Sequence, residues 1–432
     1  MASALESARG DGQAAVTPIE LIYCAAGGAR FEAIARKYGF SYGAQLPGTT
    51  YGSLRFADQA YDKPRKQAKK ASDHISDPKE CARAYASAYR KAVEDLRVAY
   101  MRALAEKRPY MATVLDLEHE DQFEDVMSWA DEASRFVSEI IIIPKYNGAI
   151  ARLPGAINGK SVRLGFSEPT TYGGTTVPYA EFAGLPVHIL GGSPKAQHRA
   201  AQHLRPLSVD GNYAMKMAQY NQFFTSSPVR AKNKHWPRLN ESAIGRIDGD
   251  ANYLSFELSC MNIRAMWLDC CATLRFAVER DIPQITKIAH QYRNELGYVN
   301  AAALRVSIAR RSLVVASHSG EVQREYTDTL VSPNSELIIG FCNYRACLDG
   351  WQTVYEIAVH RDHKGSHIGA GLLAAVPNPI RLKCTIDNPA NAFYEAMGFR
   401  HVGKDKGKKR ELNMWHRGFL PPAEGSMPLS VF

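Results

Sequence analysis

A glycine-containing turn at 364–369 carries the clearest chemical signal in the sequence. It follows an apolar, strand-like run at 353–360 and opens a helix that is apolar on one face. The first amides of a helix have no internal acceptors, and Gly365 and Gly369 let the backbone come close to a bulky anion. This order of elements predicts a site that can hold a phosphate or a diphosphate.

A second group of polar residues lies at the carboxyl ends of predicted strands in the first half of the chain. Taken singly, such a residue can be a helix N-cap or a turn residue. Taken together, the residues would meet at one mouth of a parallel sheet. Both explanations stay open for each residue, and the residues are Asp58, Asp116, Glu118, Lys145, Glu168, His188 and Asp210.

Strand-like and helical runs alternate through this half of the chain. A long amphipathic helix is predicted at 78–106, between two of the strands. Alternation of this kind implies a mostly parallel sheet, and eight strands suggest an α/β fold of the closed (β/α)8-type barrel. The predicted strands are 19–25, about 40–45, 53–58, 111–118, 139–145, 161–167, 185–192 and 205–212.

The C-terminal segments resemble the GNAT family of acyl-CoA N-acyltransferases. The resemblance lies in the turn Lys-Gly-Ser-His-Ile-Gly at 364–369 and in the run Asn-Pro-Ala-Asn-Ala-Phe-Tyr-Glu-Ala-Met-Gly-Phe at 388–399. The fourth position of the turn, usually glycine in the family, is His367. A strand near 273–278 with Asp281 as N-cap of the next helix also fits the way in which these domains begin.

The resemblance implies a C-terminal α+β domain with a mixed, mostly antiparallel sheet and acetyl-CoA, or another acyl-CoA, as cofactor. Tyr394 matches the family's usual general acid, which protonates the departing CoA thiolate, although a core aromatic is the alternative. We assign Glu356 as general base, since apolar neighbours would raise its pKa. Asn388 and Asn391 are expected to brace their turn rather than touch the substrate. The predicted cofactor-binding residues are Ile357, Ala358, Val359, Lys364, Gly365, Ser366, His367, Ile368, Gly369, Asn388 and Asn391.

The segment 188–194, a helix, and then 208–212 resemble the late barrel strands of the tRNA-guanine transglycosylase superfamily, which includes DNA-directed relatives. In that superfamily the strand ends in a nucleophilic aspartate that attacks the sugar C1′ as the base leaves. Asp210 matches the nucleophile, and Asp58 and Asp116 are looser candidates for the acids that move protons and read the base edge. The superfamily's usual Cys/Cys/Cys/His zinc site is missing from this sequence, so no metal is predicted.

Composition sets broad bounds on the protein class. The chain has 432 residues, 45% of them hydrophobic, and a net charge of +9, which suits a polyanionic partner without specifying one. No apolar run approaches the length of a membrane span, and the first residues have no signal-peptide pattern. We therefore expect a cytoplasmic protein without membrane contact. The eight cysteines lack zinc spacing and are expected to be reduced.

The expected organisation is a disordered lead-in at 1–17, the barrel at 18–225, a connecting segment with a helix at 226–271, and the acyltransferase domain at 272–432. We expect the C-terminal domain to acylate a nucleobase amine, with the barrel binding or exchanging the nucleoside. DNA is the favoured partner and a phage or prophage the favoured setting, because an acyltransferase domain needs an acceptor and a base-handling barrel would provide one. The barrel sequence also resembles a group of phage and bacterial proteins, but this resemblance implies no activity.

Two alternatives stay open. In the first, the acceptor is a small-molecule or protein amine and the barrel is a separate enzyme. In the second, the barrel only docks nucleic acid or a partner. The sequence leaves the oligomeric state undetermined.

Overall fold

A computed structural model describes residues 19–25, 27–60, 62–169, 173–226, 236–239, 251–319, 336–407 and 410–418. The expected disordered lead-in lies outside the described residues, as does most of the connecting segment before residue 251. By contact, the chain forms two compact units. One comprises 1–22, 55–192 and 199–210, and the other comprises 23–54, 193–198 and 211–432. The domain boundaries expected from the sequence stay a prediction.

The first sheet is a closed barrel of eight parallel strands, with helices in the connections, as the alternating pattern predicted. Its order is β5-β4-β3-β2-β1-β9-β8-β7, and pairing of β5 with β7 closes it, while the short β6 adds an antiparallel strand to β7. The strands are β1 Glu20–Cys24, β2 Ser41–Leu46, β3 Phe56–Gln59, β4 Met111–Thr113, β5 Glu139–Ile142, β6 Ala156–Ile157, β7 Lys160–Ser167, β8 Val187–Leu190 and β9 Ser208–Gly211.

Helices connect most of these strands, and their ends follow local chemistry. The longest begins at Pro78, where the preceding Asp77 accepts a hydrogen bond from the Glu80 amide at 2.8 Å, and it ends at Arg108 in a left-handed conformation. The helices of this part are α1 Ala29–Lys37, α2 Asp62–Ser72, α3 Pro78–Lys107, α4 Phe123–Ala133, α5 Pro194–Leu204 and α6 Tyr213–Ala218.

The second sheet has seven strands in the order β10-β11-β12-β13-β14-β16-β15. Every adjacent pair is antiparallel except β13 and β14, which confirms the mixed, mostly antiparallel sheet expected for the C-terminal domain. The strands are β10 Thr273–Phe276, β11 Leu313–Ser319, β12 Glu336–Ala346, β13 Gln352–Val359, β14 Ile380–Thr385, β15 Arg400–Lys406 and β16 Glu411–Arg417.

Helices of this part pack on the sheet around a core that includes Ile285, Leu304, Val315 and Phe341. This apolar burial is the main favourable term that holds the helices in place. The helices are α7 Ala251–Met266, α8 Ile282–His290, α9 Arg293–Leu296, α10 Ala301–Ala309, α11 Ile368–Ala374 and α12 Ala390–Ala396.

Asp281 does not cap α8 in the expected way. Its carboxylate instead accepts the amide of Val278 at 2.8 Å and pairs with both terminal nitrogens of Arg275, at 2.7 and 3.0 Å. Arg275 and Asp281 are both buried, so the carboxylate neutralises a buried cation and makes no side-chain hydrogen bond to the first amides of α8.

Helix α7 is tied to α1 by one carboxylate. Glu257 accepts hydrogen bonds from the Tyr38 hydroxyl and from Lys37 Nζ, both at 2.7 Å. At the other end of α7, Gly371 of α11 comes so close to Cys270 that a Cβ on the glycine would lie 2.5 Å from the sulfur. The absence of a side chain on Gly371 therefore allows the close approach of α11 to Cys270. Across the described ranges, no helix combines the length and the apolar character needed to cross a bilayer.

Candidate active site

Strands β13 and β14 pair over only part of their length. The two strands pair only from Gln352 opposite Ile380 to Val354 opposite Leu382. Beyond this point the edge of β13 that faces β14 has no strand partner among the described residues. On the other edge, the register with β12 shifts at Tyr355, because Val354 and Glu356 pair with consecutive residues of β12. Such a bulge bends the strand and redirects its side chains.

Three predicted cofactor contacts, Ile357, Ala358 and Val359, lie on this unpaired edge segment. The carbonyl of Val359 accepts the Tyr292 hydroxyl at 2.7 Å, which fixes the end of the strand. The unpaired edge can offer backbone donors and acceptors to an extended ligand in the way that a missing strand would.

The turn after β13 contains two residues with positive φ. Gly365 has φ 80° and His367 has φ 56°, and α11 begins at the next residue, Ile368. Lys364, Gly365, Ser366 and His367 are all exposed. Glycine adopts the left-handed backbone of position 367 without strain, whereas the Cβ atom of a histidine makes this conformation less favourable.

The start of the turn is held in place by the end of α8. Arg361 donates to the Gln291 carbonyl at 2.6 Å, and its own amide donates to Gln291 Oε1 at 3.1 Å. The Lys364 ammonium lies 5.1 Å from the centre of the Tyr292 ring. These contacts keep basic groups beside the exposed turn.

Gly369 has a packing role in the structure. It lies inside α11, where a Cβ would come within 3.2 Å of Phe393 Cζ. A side chain at this position would therefore press on the Phe393 ring, and the expected approach of the Gly369 backbone to a phosphate stays a prediction.

Glu356 is held by a residue that the sequence did not single out. Asn343 of β12 lies opposite it in the register and donates its side-chain amide to Glu356 Oε2 at 2.5 Å. Burial raises the pKa of Glu356, and the hydrogen bond from Asn343 opposes this in part. The Asn343 side-chain oxygen is buried and has no hydrogen-bond partner among the described residues. A carboxylate whose pKa is raised is a better proton acceptor than an ordinary one.

Tyr394 is 7% exposed and packs beside Phe399 and Trp415. Burial raises its pKa well above the usual value, so the phenol keeps its proton through neutral pH. It can act as a donor, and its aromatic packing also matches the structural alternative.

Asn388 and Asn391 make the bracing contacts expected of them. Asn388 accepts the Ala390 amide at 2.9 Å, and Asn391 donates to the carbonyls of Thr385 and Asn388, both at 2.8 Å. The Asn391 oxygen accepts the Trp415 indole N–H at 2.9 Å. With these groups engaged, the pair holds the β14–α12 turn.

The three acids predicted in the barrel lie in different surroundings. Asp58 lies inside β3 rather than after it, and accepts the Thr113 hydroxyl at 3.0 Å. Asp116 follows β4 and pairs with Lys145 at 3.2 Å; burial raises its pKa, and Lys145 opposes the rise. Asp210 lies inside β9.

Two further groups from the strand ends have contrasting environments. Glu118 pairs with Arg65 of α2 at 2.5 Å. Within the described ranges, Glu168 has one buried carboxylate oxygen without a hydrogen-bond partner, and burial raises its pKa while Arg199 opposes the rise. Of these two, Glu168 is the one that retains a buried acceptor for another group.

Two family models match separate parts of the chain. Residues 326–401 match the acetyltransferase (GNAT) domain, and residues 91–267 match a family of unknown function, DUF6610. Among proteins with curated functions, none matches the chain. The transglycosylase resemblance is not confirmed by these matches.

The chain is similar to several solved structures, some of which are described as acetyltransferases. Ard1 from Thermoplasma volcanium shares 18% identity over 35% of this chain and 99% of its own, with a TM-score of 0.28. The ribosomal-protein-S18-alanine N-acetyltransferase from Escherichia coli shares 15% identity over 35% of this chain and 97% of its own, with a TM-score of 0.27.

A proposed streptothricin acetyltransferase from Bacillus anthracis was solved with acetyl coenzyme A. It shares 22% identity over 25% of this chain and 61% of its own, with a TM-score of 0.19. The family match and the fold agree: residues 326–401 match the acetyltransferase (GNAT) domain, and the sheet to which they contribute has the mixed, mostly antiparallel arrangement expected from that resemblance.

Proposed function

We propose that the chain transfers an acyl group from acyl-CoA to an amine. The observation that carries the proposal is the end of the β13–β14 pairing at Val354 and Leu382, followed by a turn with left-handed Gly365 and His367, in a segment that matches the GNAT domain. Exposed backbone amides and a free strand edge are what a diphosphate and an amide-containing arm require.

The residues present fit an acyl-CoA. The unpaired edge of β13 at 357–359 would hydrogen-bond the pantetheine arm, and the amides of the turn at 364–368 would hold the diphosphate beside Lys364. When bound, acyl-CoA supplies a thioester whose carbonyl carbon is the electrophile.

Two side chains would handle the protons. Glu356, with its pKa raised by burial, would take a proton from the ammonium form of the acceptor, directly or through water. Tyr394, with its pKa raised by burial, would hold the proton that the leaving thiolate needs. Asn343 would keep the Glu356 carboxylate in one orientation.

For the acceptor, we propose a nucleobase amine in DNA, in a phage setting and in the cytoplasm. Support comes from the net charge of +9 and from the exposed Lys69 and Lys70 on α2, which suit a phosphate backbone. The acidic groups at the carboxyl ends of the barrel strands suit hydrogen-bond donors on a base edge.

A second candidate function for the barrel is base exchange, and the hydrogen bond from His188 Nε2 to Asp210 at 3.2 Å favours it. Asp210 would attack the sugar C1′, and the bond from C1′ to the base would break with its electron pair going to the base. Asp116, whose pKa is raised by burial, would supply a proton to the departing base, and Asp58 would contact the base edge.

Calorimetry with acetyl-CoA tests the foundation of the proposal. We expect heat of binding with the full-length chain, and absence of heat with any acyl-CoA would show that the acyltransferase assignment is wrong. Release of CoA thiol is then measured with plasmid DNA, deoxynucleosides, small amines and a lysine-rich protein as acceptors.

Mass spectrometry of nucleosides from DNA coexpressed with the protein tests the acceptor. A new acylated base supports the nucleobase proposal. If no such base forms and DNA leaves the turnover of acetyl-CoA unchanged, while an amine or a protein is acylated, the acceptor is the alternative one and the barrel works separately.

A further inference from the structure

The barrel interior holds a chain of polar side chains that acyl transfer does not use. Barrels of this kind usually fill their interior with bulky apolar side chains. Here Glu139, the first residue of β5, pairs with Arg163 of β7. Arg163 Nε lies 3.1 Å from Glu139 Oε1, and Arg163 Nη2 lies 2.6 Å from Glu139 Oε2. The two residues are 6% and 7% exposed, so this pair is fully enclosed.

Ser208 and His188 extend the chain toward the carboxyl end of β9. Arg163 Nη1 lies 2.5 Å from Ser208 Oγ, and Ser208 Oγ lies 2.6 Å from His188 Nδ1. His188 Nε2 then lies 3.2 Å from Asp210 Oδ1. Ser208 and Asp210 are two residues apart in one strand, so their side chains share one face of the sheet.

The numbers of donors and acceptors decide which atom donates in each hydrogen bond of this series of side chains. A guanidinium can only donate, so Ser208 Oγ accepts from Arg163. Ser208 and His188 are 0% exposed, and within the described ranges His188 Nδ1 is the acceptor available to the Ser208 hydroxyl hydrogen. Nδ1 therefore accepts, and the ring hydrogen lies on Nε2 and is donated to Asp210.

We propose that His188 is a positioning residue for Asp210 and that Glu139, Arg163 and Ser208 set its tautomer. The ring also packs against Phe56, with centroids 4.9 Å apart, so its plane is restricted. A neutral imidazole fixed in this way holds one oxygen of the Asp210 carboxylate for reaction with a nucleoside. The catalytic part of this inference rests on the proposed role of Asp210 in base exchange.

We call the hydrogen-bonded series Glu139, Arg163, Ser208 and His188 the relay. Histidine nitrogen NMR on the full-length protein tests the relay without any substrate. The His188 signals are those that disappear in His188→Gln. We expect wild-type His188 to carry its hydrogen on Nε2, and we expect Ser208→Ala to mix the two tautomers. A hydrogen on Nδ1, a doubly protonated ring, or spectra unchanged by Ser208→Ala would overturn the relay. The wild-type spectrum can overturn it alone, even if the variant does not fold.

Release of bases from plasmid DNA and from deoxynucleosides tests the catalytic part. His188→Leu should lower kcat by about 10- to 100-fold with little change in KM, the usual loss when a positioning group is removed. His188→Gln, whose amide can donate to the same carboxylate, should restore part of the rate. The exposed His74→Leu serves as the matched control.

Two results in this assay have different meanings. Unchanged kcat in His188→Leu would show that His188 does not position Asp210. If the wild-type chain releases no base, the base-exchange proposal fails, and the NMR spectra alone then confirm or overturn the relay.

Discussion

Glu356 and Asp210 are each held by a side chain from a neighbouring strand, but the two neighbours differ in kind. Asn343 is a neutral amide, and burial governs the pKa of Glu356 and raises it. His188 is the last member of a chain that begins at the buried pair of Arg163 and Glu139. The amide of Asn343 fixes the position of the carboxylate and opposes part of the pKa rise that burial causes, whereas the series that ends at His188 also fixes which hydrogen the carboxylate receives.

The two buried arginine pairs show the same contrast. Arg275 and Asp281 close a turn next to β10, where Asp281 also accepts a backbone amide. Arg163 donates a further hydrogen bond from its third nitrogen to Ser208 Oγ, and Ser208 in turn is hydrogen-bonded to His188. The first pair is therefore structural, and the second connects structure to a candidate reacting group.

The largest expected effect is on acyl transfer. Glu356→Gln keeps the shape and the partner of the side chain but cannot take a proton, so kcat should fall by about 10²- to 10⁴-fold. Release of CoA thiol measures it, with the exposed Glu395→Gln of α12 as control. A loss smaller than about tenfold would show that another group is the base, and Glu356 could then no longer be compared with Asp210 as a reacting carboxylate.

Breaking the buried pair of the barrel comes next. Arg163→Met leaves Glu139 buried without its cation, and the free energy of unfolding should fall by about 3–5 kcal/mol. Arg275→Met should cost a similar amount through Asp281. Urea titrations measure both losses, and Arg163→Met combined with Glu139→Gln should recover part of the first. A negligible loss of unfolding free energy in Arg163→Met would show that the pair of Arg163 and Glu139 does not hold Ser208 and His188 in place.

Opposite substitutions in the turn should act in opposite directions. Gly365→Ala places a side chain at a φ of 80° and should lower stability by about 1–2 kcal/mol, with weaker binding of acetyl-CoA. His367→Gly removes a side chain at a φ of 56° and should raise stability by up to about 1 kcal/mol, because the freedom of glycine in the unfolded chain offsets part of the gain.

Thermal melting and calorimetry with acetyl-CoA follow this pair of variants. If both variants lose stability, the histidine makes a contact that outweighs its backbone cost.

The smallest effect is a shift of the pH profile. The hydrogen bond from Asn343 lowers the pKa of Glu356, so Asn343→Leu should raise that pKa further. The base works when deprotonated, and activity is lost as the pH falls through its pKa. The acid limb of kcat should therefore move to higher pH, by at most about one unit. An acid limb that stays in place would argue that another group is the base.

Much of the C-terminal site could be predicted because it is local. The strand, the turn and α11 are contiguous, so Gly365 and the order of elements were visible in the sequence. Asn343 was not, because it meets Glu356 only through the register between β12 and β13, which includes a bulge at Tyr355. Likewise, the turn position of His367 was visible, but its left-handed backbone was not.

In the barrel, the alternation of runs predicted eight strands, and the acids at their ends followed from it. The sequence by itself thus determined the elements and the polar residues they carry, since periodicity and turn chemistry depend on near neighbours in the chain. Which polar residues meet was decided by closure of the sheet, which brings Glu139, Arg163, His188 and Ser208 together from four strands. A hydrogen-bonded chain of this kind depends on distances of a few ångströms between separate strands, and only tertiary structure sets those distances.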